Sequence, residues 1–231
     1  MVDNANSLSG IGLLADLTAD ERAAVEQACR WKRYAPQEQI IDRQSETRDV
    51  CFVVRGRVRV VNYSLSGREI TLDDILEGSY FGELAAIDNR PRSASVMALT
   101  DCMIASLPPE HFLAALERHP SMALTVMRRL ADVIRVSTDR IMDLSTLGAN
   151  NRVHAELLRQ ARSAMLDDNR AVIKPIPVHG DIASRVSTTR ETVARVMNDL
   201  ARKKILERKK DCLVVPDVDR LQGLVEEVRG E

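Results

Sequence analysis

Aromatic side chains make up only 3% of the 231 residues, and their scarcity removes one class of function at once. Recognition of RNA or single-stranded DNA by base stacking needs several exposed rings. The core, for the same reason, must be aliphatic. Cysteine is thin too: Cys29, Cys51, Cys102 and Cys212 are scattered without a C-x-x-C pair, so no zinc or iron–sulfur framework is suggested. His111, His119, His154 and His179 are equally dispersed, with no H-E-x-x-H cluster, and we expect no metal. No apolar run approaches the ~20 residues that cross a bilayer. Met1 to Ser7 lack the basic-then-apolar pattern of a signal peptide. The expectation is a cytoplasmic protein without a membrane partner. Nor is there a nucleophile–base constellation or room for a catalytic domain, which argues against an enzyme.

What is present is the balance of a soluble globular protein, 45% hydrophobic and 29% charged, long enough for one large domain or two modest ones. The net charge of −1 conceals a division. Residues 1–150 hold 17 basic and 21 acidic side chains, residues 151–215 hold 14 and 8, and the last sixteen hold 2 and 5. A basic block behind an acidic half suggests a polyanion-binding module attached to something else.

Leu13, Leu14 and Leu17, then Thr18, Asp20 and Glu21, predict one or two short helices over 11–30, with Thr18 as cap. From about Tyr34 short apolar runs take over, at 51–54, 58–61, 70–72, 96–99 and 102–105. Glycines punctuate them at the spacing of an antiparallel sandwich or barrel, which Pro108-Pro109 ends. A long helix follows over about 120–147. Met127, Leu130, Ile134, Ser137, Ile141 and Leu144 recur at alternating steps of three and four, the seam of a coiled coil. We read a parallel homodimer; the alternative is a helix packed on its own β domain. Residues 148–151 (Gly-Ala-Asn-Asn) break the helix and form the expected hinge. Beyond it come a helix from Val153 to Met165, a short strand at Val172-Ile173, and a helix from Asp181 to Val186. A Ser187-Thr188 turn leads to a helix from Thr189 to Arg202, then to a hairpin from Ile205-Leu206 to Leu213-Val214-Val215 with a basic tip. Helix, turn, helix and hairpin in a basic block read as a winged helix-turn-helix.

Two constellations carry chemistry. In the second helix of the pair, Thr188 with Glu191 three residues on reads as a capping box. Val193, Val196, Met197 and Leu200 mark the buried face. Arg190, Glu191 and Arg195 lie off that face, where a recognition helix presents side chains to base edges: arginine pairs with guanine and glutamate accepts from cytosine. The alternative is a solvated Glu191–Arg195 ion pair. The other constellation is Phe81-Gly82-Glu83-Leu84-Ala85 with Arg92-Ser93-Ala94 after it. Gly82 permits close backbone approach, Glu83 can take a ribose hydroxyl and Arg92 can clamp a phosphate, unless Glu83 and Arg92 merely pair with each other.

The segment Gly82-Glu83-Leu84-Ala85…Arg92-Ser93-Ala94 resembles the phosphate-binding cassette of cyclic-nucleotide-binding domains. Ser187-Thr188-Thr189-Arg190-Glu191-Thr192-Val193-Ala194-Arg195 resembles the recognition helix of the catabolite-activator (CRP/FNR) transcription factors. The resemblance spans nearly the whole chain and implies an α+β fold. A β-roll with amino-terminal helices would occupy 1–118, a dimerisation helix 119–147, a hinge 148–151, and a winged helix-turn-helix DNA-binding domain 152–231. It further implies an allosteric homodimer that binds a small effector in the β-roll and a palindromic promoter site on double-stranded DNA, with RNA polymerase as a partner. Glu83 would hold the ribose 2′-hydroxyl and Arg92 the cyclic phosphate, with Ser93 and the backbone of Gly82 and Leu84 in support. Ser137 and Thr138 fall where the cAMP-binding member reads adenine, so cAMP is the expected effector. The alternative is cGMP, with Ser93 and Asp139 at the guanine edge. Arg190, Glu191 and Arg195 would read a TGTGA-like half-site beside His179 and Thr189, while Lys209 and Lys210 meet phosphates. The iron–sulfur branch should carry a cysteine cluster near its start, and the haem branch a Cys/His pair in the β-roll; neither is present. An effector-independent member would have no reason to keep Glu83 and Arg92 together. The chain departs from the family pattern at Val178–Asp181, which lacks a cap residue, at Ser187, where the turn has glycine, and at Val133, where the dimer helix has an arginine. Arg129 lies one turn earlier.

Overall fold

The computed structural model describes residues 7–167 and 169–229, which divide into two compact units at 132/133. In the first, a 3₁₀ turn (Gly12–Leu14) precedes α1 (Ala19–Ala28). Thr18 and Glu21 close the amino end of α1 with a reciprocal capping box. Eight strands follow: β1 (Arg30–Tyr34), β2 (Gln39–Ile41), β3 (Val50–Arg55), β4 (Arg57–Tyr63), β5 (Glu69–Leu76), β6 (Tyr80–Phe81), β7 (Ser95–Ala98) and β8 (Cys102–Leu107). They form two antiparallel sheets, ordered β1-β8-β3-β6 and β2-β7-β4-β5. Strand periodicity explains the unbroken apolar run in β3. Cys51 and Val53 point between the sheets, among Val58, Ile75, Phe81, Val96 and Ile104. Val50 and Phe52 point outward into a second cluster with Leu14, Phe112, Met122 and Val126. The helices α2 (Glu83–Asp88) and α3 (Pro109–Arg118) complete this unit, and α4 (Pro120–Thr146) begins in it.

The start of α4 also meets its own unit. Leu130, assigned above to a dimer seam, packs half-buried on the β unit's outer cluster together with Met122 and Val126. The rest of the stripe is uncovered in the single chain: Met127, Ile134, Ile141 and Leu144 are exposed, Ile134 at 65% and Ile141 at 62%.

The second unit contains α5 (Ala149–Arg162), β9 (Ala171–Ile173), α6 (His179–Arg185), α7 (Arg190–Arg202), β10 (Glu207–Arg208), β11 (Leu213–Val215) and α8 (Val218–Arg229). The strands make a small antiparallel sheet, β10-β11-β9. Leu157, Ile182, Val193, Leu200, Val215 and Leu221 belong to one core beneath the helix pair. Three differences from the sequence reading stand out. The expected hinge is mostly helical, because Gly148 serves as the N-cap and Ala149–Asn151 form the first turn of α5. Ile205 and Leu206 are buried but lie outside the hairpin strands, because their N–H groups bond back to the Leu200 carbonyl. The acidic carboxy-terminal segment is the helix α8, whose Leu221 and Val225 enter the core.

Candidate anion site and nucleic-acid interface

Strand β6 delivers the chain to Gly82, which adopts φ +84° and caps α2. A Cβ there would stand 2.6 Å from Arg92 Nη1 and 3.0 Å from the Asp49 carbonyl oxygen, so the close approach requires glycine. The turn sends Glu83 inward and buries Ala85, while Leu84 faces outward. Arg92 is only 5% exposed. Its Nη1 donates to the Gly82 carbonyl at 3.0 Å and its Nη2 to the Asp49 carbonyl at 2.9 Å. Nε and Nη2 also reach Thr47 Oγ1, at 3.4 and 3.3 Å. Every one of these acceptors is uncharged. The Asp49 carboxylate pairs instead with Arg30, and among the described residues Glu83 forms no ion pair with Arg92. Burial therefore lowers the Arg92 pKa, against the weaker opposing influence of Cys51, Asp49 and Glu83. A buried guanidinium without an anionic partner in contact is an incomplete arrangement. It fits a ligand that brings a negative charge, and a carboxylate beside it fits a ligand that also brings a hydroxyl.

Around this pair, Ser93 is exposed, and its carbonyl accepts from Asn62 Nδ2 at 3.4 Å. Arg129 lies over the ring of Tyr80, 4.5 Å from its centroid, and so ties the start of α4 to the strand that leads into Gly82. Burial pushes the Tyr80 phenol up to about 12. Ser137 and Thr138 sit on the exposed part of α4, in the second unit. The Thr138 hydroxyl donates to the Ile134 carbonyl at 2.9 Å, which leaves its lone pairs open.

The helix pair α6–α7 turns at Ser187, whose φ of +52° is the left-handed conformation that glycine adopts more easily. Arg152 braces this turn from α5: Nε donates to the Val186 carbonyl at 2.8 Å, Nη2 to the Ser187 carbonyl at 3.2 Å, and Nη1 to the Leu147 carbonyl at 2.9 Å. The left-handed residue also moves the cap. Thr188 donates its N–H to the Ala183 carbonyl and belongs to the turn. The N-cap of α7 is Thr189, whose hydroxyl accepts from the Thr192 N–H at 3.2 Å, so the cap falls one residue later than the Thr188 expected from the sequence. The Glu191 carboxyl is held below its usual range, mainly by a backbone N–H and the Thr189 hydroxyl. The N-cap of the first helix, α6, is Val178, which offers no side-chain cap.

Val193, Val196, Met197 and Leu200 are buried, while Thr189, Arg190, Glu191 and Arg195 are exposed together on the other side of α7. Arg190 lies against Gly180 of α6, where a Cβ would come within 3.0 Å of its Nε. Among the described residues Arg195 makes no ion pair with Glu191; its Nη2 donates to Asn150 Oδ1 at 3.2 Å. His179, the first residue of α6, is half-buried. Lys209 and Lys210 stand exposed at the hairpin tip, closed by the Lys209 N–H to the Cys212 carbonyl at 2.9 Å. Thr47, Asp49 and Asn150 were missed by sequence reasoning, since each meets its arginine across more than forty residues.

A β-roll with a buried anion seat, a long helix with an uncovered apolar stripe and a winged helix-turn-helix define a ligand-sensing, DNA-binding regulator rather than an enzyme. Residues 31–119 match the cyclic nucleotide-binding domain and residues 151–224 the Crp-like helix-turn-helix domain. The Cyclic AMP receptor protein of Thermus thermophilus is 33% identical over 171 residues, 74% of this chain and 76% of that one. The cAMP-activated global transcriptional regulator Vfr of Pseudomonas aeruginosa is 27% identical over 193 residues, 81% of this chain and 89% of that one. A CooA mutant from Carboxydothermus hydrogenoformans shares the fold with a TM-score of 0.80 at 24% identity, covering 92% of this chain and 95% of that one. The chain belongs to the CRP/FNR family, as a cyclic-nucleotide-binding, DNA-binding transcription regulator. Among the described residues no helix is long and apolar enough to cross a membrane.

Proposed function

We propose that this regulator is a homodimer that binds cAMP in its β-roll and, when loaded, binds a near-palindromic, TGTGA-like promoter site. In this reading it acts in the cytoplasm, with RNA polymerase as its onward partner. The observation that carries the reading is Arg92, a buried guanidinium whose hydrogen-bond acceptors among the described residues are all neutral, set beside the buried Glu83. A cyclic phosphate supplies the missing charge, and the ribose 2′-hydroxyl is a donor for Glu83. Two similar proteins carry cAMP in their names. The uncovered stripe of α4 supports a parallel dimer along that helix. Ser137 and Thr138, at its polar interruption, are the groups proposed to meet adenine. Arg190, Glu191 and Arg195 would meet base edges, His179 and Thr189 would stand beside them, and Lys209 and Lys210 would meet phosphates. The nucleotide must bind the DNA-competent arrangement more tightly than the other, so DNA and nucleotide raise each other's affinity by the same factor.

Isothermal titration of the full chain with cAMP and cGMP tests the reading. Arg92→Ala should weaken the preferred nucleotide by at least about thirtyfold, the cost of removing one partner of an enclosed charged contact. The pair Ser137→Ala/Thr138→Ala should weaken cAMP by about 1–3 kcal/mol. Unchanged affinity in Arg92→Ala removes the cassette assignment. Tighter wild-type binding of cGMP, lost in the Ser137/Thr138 pair, makes cGMP the effector instead.

A further inference from the structure

Among the described residues, Arg195 is the exposed arginine of the recognition helix that hydrogen-bonds outside the helix pair. That partner is Asn150, in the first turn of α5, whose Oδ1 accepts from Arg195 Nη2 at 3.2 Å. We infer that Asn150 is a positioning residue for base readout: it holds the Arg195 guanidinium in the orientation in which that side chain reads its base. The inference rests on Arg195 reading a base, as proposed above.

Arginine is long and flexible. Its side chain has large rotamer freedom, and fixing that freedom on DNA costs affinity and blurs the choice of base. A guanidinium carries five N–H donors in one plane, and guanine takes two of them. The bond to Asn150 occupies one hydrogen of Nη2 and leaves four N–H groups, enough for a two-point contact with guanine. Asn150 therefore orients the fork without consuming its reading edge. The acceptor is a neutral amide, so it does not neutralise the charge that DNA attracts. A Glu191–Arg195 pair on the same helix would have done so.

The placement of Asn150 is equally specific. It lies two residues after the Gly148 N-cap, in the turn of α5 that also carries Arg152. Arg152 is bonded to the Val186 and Ser187 carbonyls of the helix-turn-helix turn. The acceptor is thus fixed relative to the recognition helix by a neighbour two positions away. Arg190 lies instead beside Gly180, where a Cβ would come within 3.0 Å of its Nε. Asn150 and its bond lie outside the motif that marks a recognition helix, so the motif alone gives no hint of this residue.

The test is a double-mutant cycle on DNA discrimination with the full chain. A consensus site is first selected from random DNA with wild type and with Arg195→Ala, and the base pair that Arg195 reads is the one whose preference disappears. Affinities for the consensus and for the site altered at that pair are then measured for wild type, Asn150→Ala, Arg195→Ala and the double variant. All four are compared in whichever of three conditions (no nucleotide, cAMP or cGMP) binds the wild type most tightly. Asn150→Ala should lower the discrimination ratio about three- to tenfold, the worth of one net hydrogen bond, with an unchanged melting temperature and an unchanged salt slope. In the Arg195→Ala background the same substitution should change the ratio no further. Asn150→Asp, which keeps an acceptor at that position, should retain the ratio even where phosphate repulsion weakens all DNA alike. The inference is overturned by an unchanged or raised ratio in Asn150→Ala, or by an equal drop in both backgrounds. If Arg195→Ala selects the same consensus as wild type, the readout assignment and this inference fall together; if only Asn150→Ala is silent, the inference falls alone.

Discussion

Replacing Gly82 with alanine tests the anion seat at its tightest point. Two penalties combine there. The backbone sits at φ +84°, where a residue with a Cβ costs on the order of 1–2 kcal/mol. The new methyl would also stand 2.6 Å from Arg92 Nη1 and 3.0 Å from the Asp49 carbonyl. The carbonyl belongs to the backbone just before β3 and yields little, so the guanidinium must move. Moving it stretches its bonds to Gly82 and Asp49, at 3.0 and 2.9 Å, each a bond to a charged group worth about 1.5–3 kcal/mol. Gly67 separates the two penalties. It has a similar φ of +77° but nothing within 4 Å of its virtual Cβ, so Gly67→Ala reports the conformational term alone. In thermal denaturation followed by circular dichroism, Gly67→Ala should lower the melting temperature by a few degrees and Gly82→Ala by clearly more. In titration with cyclic nucleotide, Gly67→Ala should bind as wild type does, and Gly82→Ala should lose at least about tenfold, one displaced hydrogen bond at the phosphate. Equal melting of the two variants, or wild-type nucleotide affinity in Gly82→Ala, would refute the reasoning.

Three further outcomes follow from the second unit. Lys209→Ala/Lys210→Ala should weaken every DNA sequence alike and reduce the slope of log affinity against log salt by about 0.9 per lost phosphate contact; a changed consensus would show that the tip reads bases. His154 has its pKa lowered from 6.5, first by burial and then by the Lys203 charge, with Asp199 opposing. The unfolded chain therefore binds the proton at higher pH than the folded one, so stability falls as pH drops through 6.5 and levels off below the folded pKa. Melting curves between about pH 7 and 5 should show this decline in wild type and a smaller one in His154→Leu. Leu221→Ala, which empties a fully buried position of α8, should destabilise the DNA-binding unit by about 2–5 kcal/mol; a smaller loss by urea titration would mean that α8 is dispensable to the core.

Much of this architecture was legible because its signals are local. The β-roll announced itself through short apolar runs between glycines, and α1 through Thr18 and Glu21. The helix pair was legible from Val193, Val196, Met197 and Leu200, which share one face at any choice of helix start. Other features were ambiguous for identifiable reasons. The first turns of α4 are apolar on two sides, so spacing alone could not tell whether Leu130 meets its own β unit or a partner. Pro108-Pro109 reads as a stop, yet proline is also favoured at the first helical position, and Pro109 opens α3. The α8 helix had a usable signal that acidity masked: Val218, Leu221 and Val225 share a face, and Asp217 Oδ1 accepts from the Arg220 N–H at 3.0 Å. The cap of α7 was displaced by one residue because Thr188 and Thr189 are chemically alike, and only the left-handed Ser187 decides between them. Thr47, Asp49 and Asn150 could not be found at all, since nothing in a sequence pairs positions that far apart.

The joint between α4 and the helix-turn-helix is where the expected hinge and the observed contacts differ most, and charge explains why. Asp143, in the last turn of α4, is 3% exposed and accepts from Arg159 Nη1 of α5 at 2.7 Å. Arg159 Nε also reaches Glu156 at 3.2 Å, and Glu156 in turn faces Arg185 of α6 at 3.9 Å. Arg152 adds a second route, from the Leu147 carbonyl at the end of α4 to the turn carbonyls of Val186 and Ser187. Buried pairs of this kind add little net stability but fix geometry sharply, because breaking one leaves a charge without a partner. Gly148 alone would permit a swivel. Two routes of side-chain bonds cross it, linking the end of α4 to α5 and to the turn after α6. Bending the chain at residues 148–151 would therefore have to break these bonds, and the Asn150–Arg195 bond lies on the helix-turn-helix side of them.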